Sequence, residues 1–276
     1  MSREKMHKVH DSITVHWEEK NMKSFLTALQ FLTRIHLRQQ PDLAIEDFGR
    51  STKFFPLVGL VIGLIYLLAS WCLIAVFGWA NFVTTILVLL PVLLTGGLLL
   101  DGFMDTVDGV FSGRERERQL EIMKDSRVGS FGVIALVCLM MLNWTVMRDI
   151  RLVLIMTALF IMPIIGRMAM VMVIAVFPYA RKAGMGKVFS DMADRKTVMI
   201  AGVTTVLFVV PWGQAAVAAL SSGVAFAWLL GHWLTKKLGG LTGDTYGAIE
   251  TLTETVVLMV FLITSWIPGG LHILWK

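Results

Sequence analysis

The sequence predicts an all-α, polytopic helical membrane bundle, and three observations carry that prediction. Of the 276 residues, 56% are hydrophobic and only 16% are charged, against roughly 45–50% and about 25% in soluble domains. The mean hydropathy is +0.71, and the apolar residues come in long unbroken runs, as membrane spans require. Lys and Arg gather between these runs in alternate loops, the pattern of a chain threaded through a bilayer.

Taken in order, residues 1–20 read as a polar tail, and residues 21–276 as a single integral membrane domain. The tail carries His7, His10 and His16; metal binding is one use for them, a solvated segment the simpler one. Residues 22–37 place Phe25, Leu29, Leu32 and Ile35 or His36 near one helical face. That stretch is too short and too charged to span, so an amphipathic helix on the membrane or against the bundle is expected. Seven apolar runs then read as spans, near 54–77, 82–100, 128–147, 152–177, 198–212, 215–234 and 251–267, each needing about 20 residues. The fourth contains Pro163 and Arg167, and a kink is expected there. The fifth is short; without it the count falls to six.

With the N-terminus placed inside, Lys and Arg divide 21 against 3 between the two sides, and 12 against 3 when the N-terminal segment is discounted. A cytoplasmic N-terminus and an external C-terminus follow from the positive-inside rule. The loops 101–127 and 235–250 then fall together on the cytoplasmic side. A formal net charge of +5 is accounted for by this topology, so nucleic acid is not an expected partner. Cys72 and Cys138 lie in apolar runs and form neither a disulfide framework nor a metal motif.

The run Thr95–Gly113 carries Asp101, Asp105 and Asp108 at i, i+4 and i+7, one face of a helix. Three stacked carboxylates repel one another, so either their pKa values rise or a cation sits among them. Oxygen-only donors suit Mg²⁺ or Mn²⁺. Gly96, Gly97, Gly102 and Gly109 clear side chains from this region, allowing backbone or substrate to approach closely. A solvated helix end is the plain alternative, but Phe103, Met104, Val107 and Val110 imply a packed helix. Next, Lys124, Asp125, Ser126 and Arg127 precede Gly129 and a new span; Lys124 and Arg127 suit phosphate oxygens, or simple anchoring at the membrane surface. Arg167 lies inside a span, where an ionisable residue is costly and a functional candidate. It is expected to face the acidic cluster or a substrate diphosphate. Leu238–Glu254 adds a glycine turn, Asp244, and a second acidic pair, Glu250 and Glu254.

The run LTGGLLLDGFMDTVDGVFSGRERERQLEIMKDSRVGSFGVIAL resembles the signature of the cobalamin (5′-phosphate) synthase, or adenosylcobinamide-GDP ribazoletransferase, family. LGGLTGDTYGAIETLTE, FLTRI, FPLVGLVIG and ARKAGMG resemble further motifs of that family, in the right order along nearly the whole chain. The resemblance implies a Mg²⁺-dependent transferase of a bacterial inner membrane. It would join adenosylcobinamide-GDP to α-ribazole (or its 5′-phosphate), giving adenosylcobalamin (or its 5′-phosphate) and GMP. It implies Mg²⁺ on Asp101, Asp105 and Asp108, with Asp125, Asp108 or Asp244 as the base. Lys124, Ser126, Arg127, Arg167, Gly97, Gly102 and Gly109 would form the substrate site. Two other classes share some of these features. A CDP-alcohol phosphotransferase would show a different aspartate spacing, and a secondary transporter would show repeated halves and midplane acids.

Overall fold

The computed structural model describes residues 19–38 and 43–267. The tail histidines therefore lie outside the described residues. The first helix, α1, covers residues 19–32. It is followed by α2 (Ile45–Ser51), α3 (Phe55–Phe77), α4 (Asn81–Thr95), α5 (Leu98–Val110), α6 (Arg116–Ile122), α7 (Ser130–Asp149) and α8 (Leu152–Val176). Then come α9 (Met185–Met192), α10 (Arg195–Val209), α11 (Gln214–Leu238) and α12 (Gly243–Trp266). Among the described residues the extended backbone amounts to a single bridge, Tyr179 to Leu241.

Six helical segments are long and apolar enough to cross a membrane: Ile45–Phe77, Ser130–Asp149, Leu152–Val176, Arg195–Trp212, Gln214–Leu238 and Gly243–Trp266. The short fifth run is among them, lengthened by a 3₁₀ turn at Val210–Trp212. The remaining candidate is the pair α4 and α5, which meet at 93°. Here the expected span of 82–100 is corrected. The helix stops at Thr95 because Gly96 (φ 66°) and Gly97 (φ 79°) are both left-handed, a backbone state that glycine enters freely and that terminates helices. We read α4 as the span. The turn carries α5 back along the N-terminal half of α7, from Leu136 and Met140 beside Asp101 to Gly129 beside Asp108, and on to the loops at that end of the bundle.

Helix α8 is the core of the bundle, buried along nearly all of its length from Leu154 to Ile174. It packs on α3 through two glycines one turn apart. A Cβ on Gly59 would stand 2.3 Å from the Pro163 carbonyl oxygen, and one on Gly63 would stand 2.2 Å from that of Phe160. Small residues at this spacing let two membrane helices approach backbone to backbone. The outer faces are apolar too: Leu68, Trp71, Leu93, Met141, Val203 and Ile263 are all exposed, as lipid-facing side chains would be.

Contacts between loops sort the bundle into two ends. At one, Arg148 donates from Nη1 to the Trp79 carbonyl (2.7 Å), and the Arg151 N–H donates to Ser265 Oγ (3.2 Å). At the other, the Arg34 N–H donates to the Leu94 carbonyl (2.7 Å), Gly129 N–H reaches Asp108, the Ala180 N–H donates to the Leu241 carbonyl and the Leu241 N–H to that of Pro178. This second end collects 96–129, 178–184 and 239–243, the loops in which the unusual motifs lie.

Candidate active site

The site is assembled where α5 meets α12. Two glycines make that contact possible. A Cβ on Gly102 would lie 2.8 Å from the Asp244 carbonyl oxygen, and one on Gly247 would lie 3.0 Å from that of Leu99. Helix α12 begins with Thr242, whose hydroxyl accepts from the Thr245 N–H and whose own N–H donates to Thr245 Oγ1. This reciprocal cap holds Asp244 in the first helical turn, beside the aspartates of α5.

The three aspartates of α5 do not share one role. Asp101 is exposed at the start of the helix and Asp105 is half-buried. Burial, together with the negative charges of Asp101, Asp244 and Asp108, pushes the Asp105 carboxyl up to about 7, against the pull of Arg181. Asp108 is buried, and both its oxygens are taken: Gly129 N–H donates to Oδ2 and Gly132 N–H to Oδ1, each at 2.8 Å. It caps α7, putting a carboxylate at the positive end of that helix. Gly129 and Gly132 leave room for it, since a Cβ at either would overlap the carboxylate. Gly109 has a similar packing role against Met123 and Gln119 of the α6 region.

Arg181 was not singled out by residue type, yet its Nη2 lies 2.8 Å from Asp244 Oδ2, with both side chains largely buried. Its signal was the ARKAGMG motif. Arg34 was also missed as a site residue. Its guanidinium lies over the helix break, where a Cβ on Gly96 would fall 2.1 Å from Nε.

Lys124, Asp125, Ser126 and Arg127 are exposed, in the loop that leads to Gly129. Arg127 closes on Asp125, with Nη2 2.8 Å from Oδ2 and the backbone N–H 3.1 Å from Oδ1. These bonds hold the Asp125 carboxyl down at about 2, which makes it a weak base. Lys124 and Ser126 remain open to a substrate.

The expectation for Arg167 is overturned. Its ion-pair partners are on α12 and not on α5: its Nη1 lies 2.5 Å from both Glu250 Oε1 and Glu254 Oε1. A further bond runs from Nη1 to the Pro163 carbonyl (3.2 Å). By helical rise, Glu250 and Glu254 lie about 9 and 15 Å below Asp244, so the nearest carboxylates at the depth of Arg167 are these two. The second acidic pair in the sequence is the partner of the buried cation.

Two cavities meet at the site. An open groove of about 690 Å³ runs past Arg34, His36, Gly97 and Asp101. A smaller cavity of about 230 Å³ lies between α1, α3, α5, α9 and α12, with Asp101 and Asp244 on its wall. Among the described residues no three His, Cys, Asp or Glu side chains close a ready-made metal cage. Mg²⁺ does not need one, because it binds through one or two carboxylates, waters and substrate phosphates. Asp101 and Asp105 offer such a pair, and the crowding that raises Asp105 is the surplus negative charge that a cation relieves.

Fold and site together define a multi-pass helical membrane bundle with a carboxylate-lined cavity and groove at one end. The chain belongs to the cobalamin-5-phosphate synthase family: residues 24–262 match the sequence profile described as Cobalamin-5-phosphate synthase. An adenosylcobinamide-GDP ribazoletransferase of Clostridium acetobutylicum is 35% identical over 250 residues, covering 90% of this chain and 98% of the relative. A protein of the same name from Roseiflexus sp. is 38% identical over 243 residues (86% and 88%). Another from Citrobacter koseri is 37% identical over 251 residues (87% and 99%). No solved structure matches the chain.

Proposed function

We propose that this chain joins adenosylcobinamide-GDP to α-ribazole or its 5′-phosphate, with Mg²⁺, on the cytoplasmic face of a bacterial inner membrane. The products are adenosylcobalamin or its 5′-phosphate, and GMP. Membership of the family supports the reaction. The observation that carries the site is the meeting of Asp101 and Asp105 with Asp244 and Arg181, from motifs far apart in the chain, at one end of the bundle.

Asp101 and Asp105 would hold the metal. When bound, Mg²⁺ supplies neutralising charge to the diphosphate oxygens, as phosphoryl transfer requires. The ribazole hydroxyl attacks the cobinamide-side phosphorus. A new P–O bond forms to the ribose oxygen, the bond to the bridging oxygen breaks, and GMP leaves with that electron pair. Asp244 is our choice of base for the hydroxyl proton. Asp108 is committed to α7, and Asp125 is held ionised by Arg127. Arg181 fixes the Asp244 carboxylate in place. Arg34 in the groove would add positive charge for the leaving phosphate, as would Lys124 and Arg127 if the exposed loop before α7 closes on the donor. The protein's task is positioning plus charge complementarity.

The test is direct. Purified protein is incubated with adenosylcobinamide-GDP, α-ribazole and Mg²⁺, and GMP and cobalamin are measured. Formation of both in equal amounts is expected; absence of GMP with active substrates contradicts the reading.

A further inference from the structure

The reaction needs two substrates of very different shape at one centre, and the two cavities differ in the same way. We propose that the smaller cavity is the acceptor subsite, where Phe189 and its neighbours clasp the apolar aromatic base of α-ribazole while the ribose reaches Asp101 and Asp244. This inference rests on the reaction proposed above.

The walls identify the guest. Phe31 and Phe189 lie with ring centroids 5.1 Å apart, and Phe55 meets Phe189 edge-on at 5.6 Å. Tyr246, Met170 and Met185 complete an apolar lining. Aromatic rings at these distances form edge and face contacts with a further ring, and thioethers favour aromatic neighbours. The charged side chains on the wall are Asp101 and Asp244. A guanine there would engage Asp101 or Asp244, needed for the metal and the base, through its N1–H and amino group, and would leave its O6 and N7 acceptors facing an apolar wall, which is costly. A diphosphate would meet two carboxylates. A corrin macrocycle exceeds a volume of about 230 Å³. A bicyclic base of the benzimidazole type has the right size and carries a single ring-nitrogen acceptor, far fewer polar atoms than a guanine.

The connection between the cavities supplies the second argument. Asp101, Leu98 and Phe31 line both the small cavity and the open groove. The groove, about three times larger, has Arg34 and His36 beside Asp101, as suits a bulky diphosphate donor. A hydroxyl delivered from the small cavity and a phosphorus delivered from the groove would meet at Asp101. Near-attack placement of this kind is what an enzyme gains from separate, adjoining subsites.

The experiment varies each substrate in turn, using the full chain and its Phe189→Leu and Phe189→Ala variants, and follows GMP release. Loss of the ring should raise KM for α-ribazole about tenfold while KM for adenosylcobinamide-GDP stays within about twofold. Phe189→Leu nearly conserves volume and keeps the test alive if Phe189→Ala unsettles α9. Equilibrium dialysis of α-ribazole without donor should show the same loss of affinity. Acceptor preference is the readout that a merely structural role would not move: Phe189→Ala should narrow the advantage of the benzimidazole nucleoside over a purine nucleoside. An unchanged KM for α-ribazole, or an equal rise for both substrates with unchanged preference, overturns the subsite. So does a phospholipid that copurifies with the wild type and is lost from Phe189→Ala without any change in acceptor KM. Failure of the wild type to release GMP would instead overturn the reaction itself.

Discussion

Arg167 Nη1 lies 2.5 Å from Glu250 Oε1 in the interior of the bundle, with each side chain at most 2% exposed. Glu254 shares the same nitrogen. Two carboxylates and one guanidinium tie α8 to α12 across the core, away from the reaction centre. The consequence is that Arg167 belongs to the framework. Arg167→Leu leaves the buried Glu250 and the part-buried Glu254 without their cation, a change that costs about 3–5 kcal/mol. Loss of folded, extractable protein is expected before any specific loss of turnover, as measured by thermal melting in detergent. A well-folded Arg167→Leu protein with normal melting and no activity would return this residue to the catalytic site.

Asp108 makes a contrasting prediction to its neighbours on α5. Its two oxygens receive the Gly129 and Gly132 N–H groups. Asp108→Asn turns one acceptor into a donor that faces a donor. A stability loss of about 1–3 kcal/mol is expected, with activity that raised Mg²⁺ fails to restore. Melting temperature and the Mg²⁺ dependence of GMP release, read on the same sample, separate this from a lost metal ligand. Rescue by Mg²⁺ without a melting shift would place Asp108 in the metal's coordination sphere.

Asp105 predicts a pH dependence. Its folded value of about 7 lies above the ordinary 3.8. Without metal, the folded protein holds a proton there that the unfolded chain has released, so stability falls as pH rises between those two values. The metal needs the ionised form, so Mg²⁺ affinity should rise with pH up to about 7 and then level off. Thermal melting of the metal-free protein at several pH values checks the first statement, and titrations of Mn²⁺ or Mg²⁺ at the same pH values check the second. Asp105→Asn should flatten the stability slope; a slope unchanged in that variant would contradict the assignment.

Much of the fold was legible because membrane spans are written locally. The apolar runs at 128–147, 152–177, 198–212 and 215–234 correspond to α7, α8, α10 and α11 with ends displaced by a few residues. The amphipathic stretch at 22–37 was also visible as a helix, now bounded at 19–32. The site was half legible. Asp101, Asp105 and Asp244 stood out by type and spacing. Hidden was everything decided by distant partners. Asp108 looked like its neighbours, and only the approach of Gly129 and Gly132 sets it apart. Arg167 found its partners on α12. The aromatic cavity draws on Phe31, Phe55, Phe189 and Tyr246, four positions that no local period connects. The turn at Gly96 and Gly97 was noted as an opening for substrate, whereas its main effect is to swing α5 through 93°.

The topology carries its own prediction. The loops bearing Arg118 and Lys237 meet at one end of the bundle, where Arg116 Nε donates to the Leu238 carbonyl (2.6 Å). Trp79 and Arg148 meet at the other. Reporter fusions after Arg118 and after Lys237 should therefore read the same side, expected to be cytoplasmic from the excess of Lys and Arg. A fusion near Trp79 should read the opposite side. Opposite signals from the first two sites would break the shared site.

The central claim is that Asp101 and Asp105 hold the metal that carries the diphosphate. The decisive measurement is GMP release against Mg²⁺ concentration for the wild type, Asp101→Asn and Asp105→Asn. Each substitution keeps shape and removes one charge. Loss of one such electrostatic contact commonly lowers the rate about 10²–10³-fold, and that loss is expected here in variants that express and melt normally, with partial recovery at raised Mg²⁺. Near-normal rates for both variants at ordinary Mg²⁺ would contradict the account and remove the α5 carboxylates from the reaction.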